Sequence, residues 1–209
     1  ALKKAKDAYG YGFKYTNSCV LLCSFASAVD SLLAVKELVF EKKKLTLSEY
    51  KEAIQYNFGY GLSGKAAERV TTEVVTELVK RGVDVDDKTI RTVYSEVVNQ
   101  NGISPEKKAK YREIKRMIDE ECPKYGNDVY EADMFARDVA NSYTKEVEKY
   151  KNVRGGVYQA GLYPVSANVP LGAQTGATPD GREAGVAFAP GANPMHGRDK
   201  NGAIASLSS

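Results

Sequence analysis

One histidine, three cysteines and a few arginines in a glycine- and proline-rich tail are the residues of this 209-residue chain that could carry chemistry. His196 is the sole imidazole, a group that titrates near neutrality and can act as acid or base. A single histidine in a Gly/Pro loop is more often a hydrogen-bonded structural residue. Arg182 and Arg198 each offer a planar fork that fits a carboxylate or phosphate, with Asp180 and Asp199 as pairing partners inside the same loop. Cys19 and Cys23 lack a second ligand pair at zinc spacing, and with Cys122 they make an odd count that builds no disulfide framework. They read as small buried apolar residues at a strand end or helix start. Asp84, Asp86 and Asp87 resemble part of a calcium loop but lack its glycine and closing glutamate, so they read as a helix cap before Lys88. The run Gly172 to Thr178 lacks the Gly-Lys-Ser/Thr ending of a phosphate loop, and no Gly-x-Ser-x-Gly elbow occurs. No metal site is expected.

The elements that must position these groups are mostly helical up to about residue 151. Phe25, Val29, Leu32, Leu33, Lys36 and Val39 through Phe40 follow a helical period and predict a buried face over 25–41. Thr46-Leu47-Ser48-Glu49 is a capping-box pattern that opens a helix over 47–57, which Gly59, Gly61 and Gly64 break. Val70, Val74 and Leu78 mark a helix that stops at Arg81-Gly82, and Ile90, Val93, Tyr94 and Val97 mark another. Ser104-Pro105 starts a helix that runs to Glu121, before Pro123. The last long helix covers 129–150 with Phe135, Val139 and Val147 inward. Past Arg154-Gly155-Gly156 the pattern predicts a strand over 162–169 and then a long loop over 172–202, with a tight turn at Pro179-Asp180-Gly181. Ala203 to Leu207 reads as a second strand beginning.

The charge balance excludes several classes of function. Thirty basic and 27 acidic residues leave a net charge of +3, and the acids interleave with the bases, so nucleic-acid binding is not expected. The run Lys42-Lys43-Lys44 suits the C-terminal turn of a helix. The apolar stretch Cys19 to Ala26 is far too short to span a bilayer, and no leader is evident, so the expectation is a soluble, cytoplasmic protein without a membrane partner.

Thr178-Pro179-Asp180-Gly181-Arg182, then Ala189-Pro190-Gly191-Ala192-Asn193-Pro194-Met195-His196-Gly197-Arg198-Asp199, then Gly202 to Leu207, together resemble the glycyl radical enzyme family, and pyruvate formate-lyase within it. Ala28 to Lys36, Lys124 to Asp128 and Gly161 to Gly172 fit the same family, the last two stretches being more similar to its dehydratase and decarboxylase branch. The segment from Leu62 to Glu121 matches no family stretch and is longer than the family leads one to expect. The resemblance implies a ten-stranded α/β barrel, of which residues 1–209 would be one part, incomplete at both ends. It also implies a radical-bearing glycine and a thiyl-forming cysteine on loops inside the barrel. A separate S-adenosylmethionine-dependent iron–sulfur enzyme would install the radical, and the parent enzyme would be a homodimer. No Arg-Val-x-Gly-Tyr radical loop occurs in the sequence, and the cysteine role is not carried onto Cys19 or Cys23. Asn168, Pro170, His196 and Arg198 are the residues expected to line the chamber. The leading activity implied is formate C-acetyltransferase, with coenzyme A as a substrate. Glycerol or diol dehydration is the alternative, and a non-catalytic remnant is the reading of another class.

Overall fold

The structure, a computed structural model, describes residues 3, 5–7, 12, 13, 15–61, 64–81, 103–162 and 166–209. Its order is β1 (Ser18–Leu21), α1 (Phe25–Val35) continued by a π turn (Lys36–Glu41), α2 (Leu47–Gln55), a 3-10 turn (Asn57–Gly59) and α3 (Gly64–Arg81). Then come α4 (Pro105–Glu121), α5 (Tyr130–Val147), β2 (Tyr158–Gly161), α6 (Asn168–Ala173) and α7 (Gly202–Ser208). The chain divides into two compact units. One holds Ala1–Asp30, Pro123–Asn168 and Phe188–Ser209; the other holds Ser31–Cys122 and Val169–Ala187.

The helix expected over 25–41 is present, but its last turns are π-helical, with Lys42 N–H bonding Glu37 O at 2.8 Å. Ala26, Val29, Asp30, Leu33 and Leu38 are buried, whereas Leu32 and Phe40, both expected inward, are 50% and 64% exposed. In an unbroken α-helix Phe40 would share a face with Ala26 and Leu33. The wider π turn slips that phase and rotates the ring outward.

The second unit has its core where α2 and α4 bring Tyr50, Ala53, Tyr111, Ile114 and Ile118 against Leu38 and Phe58. Both helices start as their caps require. Glu49 N–H donates to Thr46 Oγ1 at 3.2 Å while Thr46 N–H donates to Glu49 Oε2 at 2.9 Å, and Lys107 N–H donates to Ser104 Oγ at 3.3 Å with Pro105 just inside. Tyr56 stacks on Tyr111 with centroids 5.8 Å apart. Asn57, Phe58 and Gly59 have φ of 48°, 51° and 83°, three consecutive left-handed residues. Such backbone costs about 1–2 kcal/mol per non-glycine residue. Full burial of the Phe58 ring, worth about 1.5–3 kcal/mol, offsets much of that.

The first unit is organised around a two-stranded parallel ladder in the register Ser18↔Tyr158 to Leu21↔Gly161. The glycine pair before β2 makes the approach possible: Gly155 has φ +82°, and a Cβ on Gly156 would lie 2.3 Å from Thr16 O. Asn152 Oδ1 accepts from the amides of Arg154 and Gly156 at 2.9 and 3.0 Å, which closes that turn. On α5 Ala132 and Ala136 are buried, and Phe135, Val139 and Val147 are half-buried on the expected side.

Two strand expectations are corrected. The strand read at 162–169 lies earlier, at Tyr158–Gly161, and Asn168 opens a helix instead. Pro170 falls in the first turn of α6, where a missing N–H costs nothing. Ala203 to Leu207 is likewise helical, within α7: alanine-rich sequence favours the helix, and Ser209 N–H bonds Ala205 O at 3.1 Å. The helix expected at Ile90 to Val97, and the Asp84 to Asp87 cap, lie outside the described residues. Among the described residues no helix is long and apolar enough to cross a membrane.

Candidate functional site

The first half of α1 presents two polar side chains to the interior of its unit, Ser27 and Asp30, one turn apart and 4% and 0% exposed. Ser24, at φ 64°, turns the chain into the helix, and Phe25 N–H is taken by Gly191 O at 3.1 Å. The C-terminal loop is therefore fastened to the start of α1. Phe25 meets Tyr125 edge to face with centroids 5.7 Å apart, and Ala26, Ala189 and Met195 pack beside Tyr125. Burial, and then the charge of Asp133, push the Tyr125 phenol pKa up, so the ring stays neutral.

Ser27 and Asp30 organise the loop. Ser27 Oγ accepts from Ala189 N–H at 3.1 Å and donates to Met195 Sδ at 3.9 Å. Asp30 Oδ1 accepts from Tyr125 N–H at 2.9 Å, and its Oδ2 lies 3.9 Å from Arg198 Nη1. A carboxylate with no exposure is sustained only by such partners. Asn127 closes the other side: its Nδ2 donates to Arg198 O (2.8 Å) and Lys124 O (3.2 Å), while its Oδ1 accepts from Lys200 N–H (2.7 Å) and Asn201 N–H (3.2 Å). The neighbouring Gly126, at φ +92°, admits Pro194 so closely that a Cβ would lie 2.3 Å from its ring.

Of the residues expected to line a chamber, Arg198 is the one at this cluster. His196 stands two residues earlier in the turn closed by Arg198 N–H to Met195 O at 3.0 Å; it is exposed, and no described residue hydrogen-bonds its imidazole. The structural, hydrogen-bonded role that a lone loop histidine usually has is not what it shows. Asn168 is buried and bonds Phe188 twice, Nδ2 to Phe188 O at 3.0 Å and Phe188 N–H to Asn168 O at 3.1 Å. Pro170 is exposed and belongs to the other unit.

Arg182, in the second unit, is 1% exposed. Its guanidinium donates to Thr178 Oγ1 at 3.1 Å and to the carbonyls of Gly172, Thr175, Gly176, Glu183 and Val186. Asp180 Oδ1 accepts from Thr178 Oγ1 and, at 3.4 Å, from Arg182 N–H. The loop therefore satisfies its own arginine as expected, but chiefly through backbone carbonyls. Arg198 draws on Asp30 of α1, a partner the sequence did not single out.

Cys19 lies on β1 and is exposed, Cys23 is half-buried before α1, and Cys122 is buried at the end of α4. The placement of the first two at a strand and a helix start is as expected; the burial of Cys19 is corrected, because β1 is bonded to β2 alone among the described strands. Tyr143 Oη donates to Val20 O at 2.8 Å, and burial, followed by Cys19 and Cys23, raises its pKa.

Asp30, Ser27 and Asn127 were missed as site residues. For Asp30 a signal existed: one acid inside the apolar run Phe25 to Val35 marks a buried charge that needs a partner.

A family model described as pyruvate formate lyase-like matches residues 1–172. The chain belongs to that family, whose members are glycyl radical enzymes. Over 92 residues, 44% of this chain and 12% of the relative, it is 47% identical to a formate acetyltransferase of Haemophilus influenzae, and it matches a PFL-like enzyme of Escherichia coli to the same extent. A solved structure concerned with 1,2-propanediol dehydration in Roseburia inulinivorans is 44% identical, with a TM-score of 0.77 over 94% of this chain and 23% of that one. The glycerol-bound, B12-independent glycerol dehydratase of Clostridium butyricum is 32% identical with a TM-score of 0.66, over 94% of this chain and 19% of that one. The chain thus spans about an eighth of the curated relatives and under a quarter of the solved ones.

Proposed function

We propose that this chain is a scaffold segment of a glycyl radical C–O lyase that dehydrates a small vicinal diol. The observation that supports this is the extent of likeness: 44% identity sustained over 94% of the chain with the propanediol-dehydrating structure. The likeness to formate acetyltransferase is as high but limited to 44% of the chain. Formate C-acetyltransferase activity, with pyruvate and coenzyme A as substrates, is the second reading, favoured by the 47% identity of that shorter stretch.

In either case the radical-bearing glycine takes a hydrogen atom from the cysteine thiol, whose thiyl radical then attacks the substrate, and we assign neither role to a residue of this chain. The residues here hold walls in place. Arg182 saturates the carbonyls of the 172–186 loop, and Asn127, Ser27 and Asp30 fasten the 188–201 loop, so that both turn fixed backbone toward their surroundings. The remaining barrel, a radical S-adenosylmethionine activating enzyme, a second copy of the parent and a cytoplasmic setting belong to the same proposal.

The test is anaerobic activation of the full-length parent by its activating enzyme, followed by assay of two substrate sets. Propanal from 1,2-propanediol supports the diol reading. Formate and acetyl-CoA from pyruvate and coenzyme A, without propanal, overturn it in favour of the second.

A further inference from the structure

We draw no further inference here: the strongest candidate, the basic groove along α4 lined by Lys108, Arg112 and Arg116, where the Arg112 guanidinium lies 5.0 Å from the Tyr60 ring centroid, is an open helix face on which nothing in the structure shows what covers it.

Discussion

Asn127 fastens the C-terminal loop through its amide, which uses two donor contacts and two acceptor contacts at once. Truncation to alanine leaves two backbone amides and two carbonyls short of a partner in a part-buried place. Asn127→Ala is expected to cost about 2–3 kcal/mol, read as a drop in the urea midpoint with the m-value unchanged. Asn127→Asp is expected to cost at least as much at neutral pH, since a carboxylate oxygen would then face the carbonyls of Lys124 and Arg198. Sequence reading found the surroundings of this residue without its task. Asp30 and Asn127 both lie in stretches whose resemblance to the family was evident. Asp30, however, meets Tyr125 from 95 residues away and Arg198 from farther still, and the loop groups that Asn127 holds lie 71–74 residues on. A hydrogen bond across that distance leaves no periodic trace, whereas a buried acid in an apolar helix does, and that was the clue available.

Local rules worked at the scale of single elements when the partners were neighbours in the chain. The Thr46–Glu49 box formed as read, and Thr46→Ala is expected to lower stability by about 1 kcal/mol. Lys110, then the amide and hydroxyl of Thr46, hold the Glu49 pKa down at about 2. A depressed carboxylate stabilises the fold above its unfolded value, near 4.5, and that contribution fades as pH falls toward about 2. The difference in melting temperature between wild type and Glu49→Gln should therefore be constant from pH 7 to about 5 and shrink below it. The Arg182 loop follows a different logic. Its carbonyls converge on one guanidinium, so Arg182→Met leaves them unsatisfied and is expected to cost roughly 3 kcal/mol or more. Faster hydrogen exchange at the Gly181 and Gly185 amides, which bond Thr178 O and Thr175 O, is the measurement. Arg182→Lys keeps the charge with fewer donors and should fall between. The strand misread at 162–169 failed for an equally local reason. Strand formers between glycines fit a strand by composition, but Pro170 sits where a helix begins.

For the molecule as a whole, exposed apolar side chains give the measurable property. Ile204 and Leu207 on α7 are 83% and 88% exposed, and Val20 and Leu21 on β1 are 37% and 40% exposed. Among the described strands β1 pairs with β2 alone, and an apolar strand paired on one side is a template for pairing with another chain. The 209-residue chain is expected to self-associate with rising concentration in sedimentation velocity, and Val20→Lys should reduce this without lowering the melting temperature by more than a few degrees. A concentration-independent monomer would show that these surfaces are too small or too curved to pair.

The parallel ladder also sets a timetable for synthesis. Ser18 aligns with Tyr158, so β1 leaves the ribosome 158 − 18 = 140 residues ahead of the strand that completes it. At about 5–20 residues per second that is a wait of roughly 7–28 s. During this interval α2 and α4 can already have packed on Leu38 and Phe58, with Ala177, alone among the described residues of their buried core, still to come. The strand of this pair made first thus stays bare while the residues between the two are translated.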